Sequence, residues 1–300
     1  MGSLRIYPGR SRVEGDMGKI GIIGGSGLYK IDGLLDIKEV KLDTPFGSPS
    51  DSYITGKLGS AEVVFLPRHG RGHRILPSEL NYRANIYGMK KLGVEQIISI
   101  SAVGSFKKEL KPLDIVLPDQ FVDRTNQARK TTFFGDGIVG HISFAEPVCA
   151  CLKDVIFKSA KELGLNVHNR GIYLNMEGPA FSTKAESRLY KGWGMDIIGM
   201  TNMPEARLAR EAEICFATVA FVTDYDCWHE EIVTIDMVIA NLTKNVDTAK
   251  RLLKKVVSGL EKKRDCQCRE ALKHAIITDK KLIPDKTKKR LDIIIGKYFN

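Results

Sequence analysis

Residues 213–228 read EICFATVAFVTDYDCW. From Cys215 to Thr223 the side chains are apolar or small, without the in-and-out alternation of a half-exposed strand. A strand that does not alternate is covered on both faces, which is the habit of parallel sheets flanked by helices. The run then meets two aspartates, Asp224 and Asp226. On one strand over 215–226, positions two apart share a face. Carboxylates rarely sit among apolar walls without a partner, because an unpaired buried charge is costly. Either cations meet this pair, or the chemistry of the site needs carboxyl groups.

The rest of the chain repeats the pattern. Strands are expected at 19–25, 53–58, 61–67, 96–104, 114–123, 169–178 and 196–200, besides 215–226. Helices are expected at 79–93, 146–164, 182–194, 203–214 and 234–263. Strands followed by helices at this spacing predict an α/β fold with a mixed, mainly parallel sheet. With 300 residues, no internal repeat and no linker, one domain over 18–263 is expected. Residues 1–17 read as a flexible extension, and 264–300 as a basic helical extension packed on the same domain.

No apolar run approaches the roughly 18 residues of a membrane span, and no signal peptide opens the chain, so a cytoplasmic protein without membrane partners is expected. The net charge of +10 lies wholly in residues 244–300, which carry 17 Lys/Arg against 7 Asp/Glu. A basic tail raises the prospect of a nucleic-acid binder. No aromatic residues interleave with the charges as a base-stacking platform would need, so a solvated helical face is the expectation. Of six cysteines, Cys266 and Cys268 stand one residue apart. Metal pairs prefer wider gaps and further ligands. No matching second cluster is visible, so no metal site is expected; reduced thiols or a disulfide remain open.

Four stretches carry chemistry. IGIIGGSGLY follows the first strand. It lacks the third glycine of a dinucleotide fingerprint and the Gly-Lys-Ser/Thr of a Walker loop. A turn holding a phosphate-sized anion with Ser26 and nearby amides fits better. PRHGRGHR gathers Arg68, His69, Arg71, His73 and Arg74 at a strand end, where guanidinium forks suit phosphate. ISISAVGSF puts Ser101, Ala102 and Gly104 at another strand end, the edge where open α/β sheets bind ligands. Finally, Phe181, Ser182, Met200 and Thr201 follow two further strands, with core packing of Phe181 and Met200 as the alternative.

Together GIIGGSGLY, PRHGRGH, NYRANIYGMKKLGV, MEGPAFST, the Met-Pro-Glu-Ala helix and TDYDCW resemble the trimeric purine nucleoside phosphorylases. The pattern is nearest the branch that takes 5′-methylthio nucleosides. The resemblance runs from about residue 19 to 260. It implies the nucleoside phosphorylase fold and a homotrimer or dimer of trimers. It also implies phosphorolysis of a purine nucleoside with no cofactor, inorganic phosphate being the co-substrate. It assigns phosphate binding to Ser26, Arg68, His69, Ser101, Ala102 and Thr201. Serine stands at 26 and 101 where many relatives have threonine. Met200 lies under the ribose and Phe181 beside the base, with Ser182 following. His73 lines the same region, and His141 reaches into a neighbouring subunit's site. Ile235, Val238 and Ile239 line the methylthio pocket, offset by a short deletion after Trp228.

In this family phosphate attacks the anomeric carbon while the bond to purine N9 breaks, and the leaving base needs a proton at N7. An ordinary aspartic acid, with a pKa of about 3.9, is too acidic to carry one at neutral pH. An apolar pocket and a second carboxylate raise it. Asp224 is expected to be the acid and Asp226 to orient it and the 6-substituent. An aspartate accepts from a 6-amino group, whereas a 6-oxo group wants a donor such as asparagine. Adenine nucleosides are therefore expected over inosine, with a phosphorylase of broader specificity on adenosine, inosine or methylthioinosine as the alternative.

Overall fold

The computed structural model describes residues 18–25, 27, 28, 30–126, 129–228, 235–260 and 265–299, the side chains of 235–239 excepted. Its strands are β1 (Lys19–Gly24), β2 (Leu34–Val40), β3 (Tyr53–Leu58), β4 (Ala61–Pro67), β5 (Val94–Ser105), β6 (Ile115–Val116), β7 (Gln120–Arg124), β8 (Val167–His168), β9 (Ile172–Met176), β10 (Ile197–Gly199) and β11 (Cys215–Asp224). Its helices are α1 (Tyr82–Lys91), α2 (Ala150–Glu162), α3 (Lys184–Gly192), α4 (Asn202–Glu211), α5 (Ile235–Gly259) and α6 (Asp285–Ile295).

The strands form one mixed sheet. Its path is β2-β3-β4-β1-β5-β10-β9-β7, with β11 on β5 and with β6 and β8 beyond it. The centre, β4-β1-β5-β11, is parallel throughout. All residues of β11 but the last are buried, as its unbroken apolar run required. One face packs on α2 and α5 through residues such as Leu152, Ile156, Leu252 and Val256. The other packs on α1, α4 and α6 through Ile86, Leu208, Leu291 and Ile295. The family fold and the C-terminal helix are therefore both present.

Two expectations change here. The single strand at 114–123 is two, β6 and β7, pairing with β11 and β9 respectively. The strand at 215–226 stops at Asp224, and Asp226 opens a short 3-10 turn, Asp226–Trp228, with a positive φ of 52°. The two aspartates thus do not share a strand face.

Helix starts follow local chemistry. Asn81 caps α1 by accepting from the Ala84 amide at 3.1 Å. Thr183 and Glu186 form a reciprocal capping box on α3.

At the end of α4, Glu211 is buried. Its carboxyl accepts from Thr132 Oγ1 and from the Phe133 amide, both at 2.7 Å. Burial raises its pKa from 4.5 to about 7, with the two hydrogen bonds opposing. The folded chain therefore keeps a proton that the unfolded chain releases. Stability is full below pH about 4.5 and is lost as pH climbs through about 7. The loss expected from this group is on the order of 3 kcal/mol. Urea unfolding at pH 5 and pH 8 checks it: Glu211→Gln should shrink the wild-type drop, and an unchanged drop would exclude Glu211 as its source.

Candidate active site

Sheet register gathers the site. Gly24 pairs with Pro67 at the ends of β1 and β4. Ser101 of β5 lies opposite Ala220 of β11, and Gly104 opposite Asp224 after a bulge. Arg68, Ser101 and Asp224 thus stand at the carboxyl edge of the parallel strands, where ligands bind in such sheets. The Arg68 amide donates to the Gly24 carbonyl at 2.9 Å, joining the glycine-rich turn to the Arg-His loop.

Arg68 is 3% exposed. Its Nε and Nη2 donate to both oxygens of Glu205, at 2.6 and 3.0 Å. Nη2 also donates to Ser99 Oγ at 2.7 Å, and Nη1 to the Ile100 carbonyl at 2.9 Å. The forked face is therefore held by Glu205, and most donors have protein partners. Arg71 is likewise engaged, by Glu39 and Asp51, so it does not join the anion site as the sequence suggested. His69 Nδ1 lies 2.8 Å from the Ile75 carbonyl. A carbonyl can only accept, so Nδ1 carries the hydrogen. Burial, with the Arg68 charge adding, lowers the His69 pKa to about 4. The ring is neutral and Nε2 is left an acceptor. His73 stacks on it at 4.4 Å.

Ser101 is buried with its hydroxyl 3.0 Å from the Tyr173 hydroxyl, while Ala102 is exposed. Thr201 is the N-cap of α4 and its side chain makes no capping bond. Met200 is half-buried. Its carbonyl accepts from Arg129 Nη1 at 2.7 Å. Arg129 also binds the Glu177 carboxylate and carbonyl, so one buried guanidinium fixes the Met200 turn against the Glu177 turn. Next to Glu177, Gly178 has a φ of 72°, and a Cβ there would stand 2.5 Å from Met200 Sδ. Phe181 is 62% exposed, which excludes core packing within this chain. The Ser182 carbonyl accepts from Cys227 Sγ at 3.2 Å, which joins the Phe181 turn to the aspartates.

Asp224 and Asp226 sit over Gly104, where a Cβ would come within 3.0 Å of Asp224 Oδ1 and 3.4 Å of Asp226 Cβ. The Asp226 amide donates to Asp224 Oδ1 at 2.8 Å. The Thr223 hydroxyl lies 3.1 Å from the Val103 carbonyl and 2.7 Å from Asp224 Oδ2. It has one hydrogen. Either that hydrogen is shared between the two acceptors, or Asp224, when protonated, donates to Thr223. Desolvation indeed raises the Asp224 pKa, against Thr223 and the Asp226 amide. Desolvation raises Asp226 as well, and the Asp224 charge adds to the rise. The Ser187 hydroxyl offsets part of it, although neither Asp226 Oδ2 nor Ser187 Oγ has a well-formed hydrogen bond. The two carboxyls share one desolvated site, in which the Asp224 charge disfavours ionisation of Asp226.

His141 is exposed and lines a separate surface cavity with Phe134, Arg207 and Glu211. Its amide donates to the Ala275 carbonyl at 2.8 Å. Ser26 and the side chains of Ile235, Val238 and Ile239 lie outside the described residues. Sequence reading missed Glu205, Ser99, Arg129 and Tyr173, which hold the site's groups in place. It also missed a second cysteine pair: Cys149 and Cys215 stand beside Cys266 and Cys268.

A carboxyl pair, a buried arginine and a neutral histidine thus stand along one edge of the parallel sheet. The chain belongs to the phosphorylase superfamily, whose family model matches residues 19–258. Among its relatives, the S-methyl-5′-thioadenosine phosphorylase of Geobacter sulfurreducens is 58% identical over 281 residues, 93% of this chain and 98% of that one. The enzyme of the same name from Thermofilum pendens is 49% identical over 259 residues, 86% of this chain and 98% of that one. Among solved structures, a methylthioadenosine phosphorylase sourced from an antarctic soil metagenomic library matches with a TM-score of 0.88 at 47% identity. It covers 93% of this chain and 99% of that one. The methylthioadenosine phosphorylase of Schistosoma mansoni in complex with adenine matches at 0.78 and 38%, covering 85% and 96%.

Proposed function

We propose that the chain splits S-methyl-5′-thioadenosine with inorganic phosphate, giving adenine and 5-methylthioribose 1-phosphate, and so serves purine and methionine salvage. The observation that carries this reading is the Asp224–Asp226 pair, two carboxyls desolvated at the sheet edge with both pKa values raised by that desolvation. Phosphate binds through Arg68, His69, Ser101, Ala102 and Thr201, with Ser26 contributing from the first turn. Neutral His69 accepts at Nε2 from the P–OH of hydrogenphosphate. A phosphate oxygen attacks the anomeric carbon, and the C–N9 electrons pass into the purine. Asp224 gives its proton to N7. Asp226 keeps that proton available through its charge and accepts from the 6-amino group.

Met200 supports the ribose, Phe181 and Ser182 flank the base, and His73 borders the sugar. Ile235, Val238 and Ile239 line the methylthio end. His141 serves the site of a neighbouring subunit in a cytoplasmic homotrimer or dimer of trimers. Among the described residues no helix is long and apolar enough to cross a membrane.

The test is phosphate-dependent release of free base from methylthioadenosine, adenosine and inosine in parallel. Adenine should come from the first two, and faster from the first. The preference for the methylthio group should be modest, about 1–3 kcal/mol. Inosine turned over as fast as methylthioadenosine would overturn the donor–acceptor argument, and no phosphate-dependent release would overturn the reaction.

A further inference from the structure

Four cysteines far apart in the chain meet on the face of the sheet opposite α1 and α4. Cys149 is the N-cap of α2, Cys215 begins β11, and Cys266 and Cys268 flank the start of a 3-10 turn, Gln267–Glu270. Their four sulfurs all lie within 4.8 Å of one another. The sulfurs of Cys215 and Cys266 are 3.3 Å apart. None of the four is in a disulfide. Cys149 and Cys215 are 3% and 0% exposed. Cys268 shares their apolar cluster, with Cys266 packed at its edge.

We infer that Cys149, Cys215, Cys266 and Cys268 form a structural tetrathiolate site for one Zn²⁺ ion. A tetrahedral ion with Zn–S bonds of about 2.3 Å needs its sulfurs roughly 3.8 Å apart. The observed cluster brackets that spacing, from 3.3 Å between Cys215 and Cys266 up to at most 4.8 Å. Four ligands on one ion suit it better than a multi-iron cluster, which spreads its thiolates over separate metal atoms. With no water or carboxylate position in the set, the site is closed, as structural zinc sites are. A one-residue gap is shorter than usual for a ligand pair. Here the backbone at Cys266 is extended (φ −125°, ψ 156°) and turns at once into the 3-10 segment, which brings both thiols to one side. The positive end of α2 opens at Cys149 and favours the negative charge that thiolates bring.

The ion would tie the C-terminal segment to the sheet. Two residues before Cys215, buried Glu213 already binds that segment at the Leu272 amide, Tyr298 Oη and Lys297 Nζ. Residues 275–277 in turn bond to 139–141, the stretch that carries His141. The site is thus a staple between the last 35 or so residues and the body of the domain, remote from the carboxyl pair.

The experiment is metal content by mass spectrometry on full-length protein purified without oxygen, with a thiol-free reductant and added zinc. About one zinc per chain is expected, displaceable by cobalt with the intense visible absorption of a tetrahedral thiolate site. Cys266→Ser/Cys268→Ser should hold at least tenfold less zinc, and Cys268→His should retain it. The wild-type measurement alone decides the matter should a variant fail to fold. Less than a tenth of a zinc per chain, with four thiols reactive, overturns the site. So does an intact mass 2 or 4 Da below the reduced value on aerobic purification together with no zinc on anaerobic purification, since the cluster is then a disulfide store.

Discussion

Asp224→Asn is expected to lower kcat/KM for methylthioadenosine by roughly 10²–10⁴-fold, the usual contribution of a placed general acid. The substitution is nearly isosteric. The amide oxygen still accepts from the Asp226 N–H, and the amide NH₂ still reaches Thr223, so the fold around Gly104 should survive. What goes is the proton for N7. The amide NH₂ beside N7 also brings a donor near the 6-substituent, which opposes the 6-amino group that Asp226 accepts from and suits a 6-oxo purine. The variant should therefore lose adenine release far more than hypoxanthine release. The pH profile separates this from mere damage. In the wild type, kcat/KM should fall as pH rises through the elevated pKa of the carboxyl pair, and the variant should lose that limb. Activity within threefold of wild type would remove Asp224 from the reaction.

Glu205→Ala is expected to cost about 3–5 kcal/mol of stability, because it strands the buried Arg68 charge without its counter-ion. The Glu205 side chain is wholly buried and Arg68 nearly so, so little water can screen the loss. Urea unfolding measures it. Arg68→Ala/Glu205→Ala should cost much less than the sum of the two single changes, since removing both partners leaves no orphan charge. The phosphate KM should also rise in Glu205→Ala as Arg68 turns away. A loss under 1 kcal/mol would mean that the pair is hydrated and that Arg68 is free to turn wholly to phosphate.

Much of this was legible in the residues because it is local. The unbroken apolar run of β11, the strand-end hydroxyl of Ser101 and the arginine after β4 all announce a sheet edge. Asp226 was misplaced because aspartate, unlike glycine, does not advertise its tolerance of positive φ. The edge strand β2 was missed because it is mostly exposed and carries no apolar run. Glu205 and Arg129 could not be seen as positioning groups. Their partners lie 137 and 48 residues away, and a glutamate in the first turn of a helix already has an ordinary reason to be there. The cysteines show the same limit: a ligand set drawn from three distant segments exists only once β11 and α2 have been packed together.

The C-terminal segment has a consequence for biosynthesis. Leu272, Ile283, Leu291 and Ile295 share an apolar cluster with Ile23, Val64 and Ile86, residues made among the first hundred. A nascent chain therefore cannot seal that side until its last residues have left the ribosome. Until then it carries an open apolar face, the kind of surface on which unfinished chains aggregate and chaperones act. A message truncated near codon 264 would yield every group of the carboxyl pair and the phosphate loop, yet release a chain with the apolar surface under Leu272, Ile283, Leu291 and Ile295 still in water.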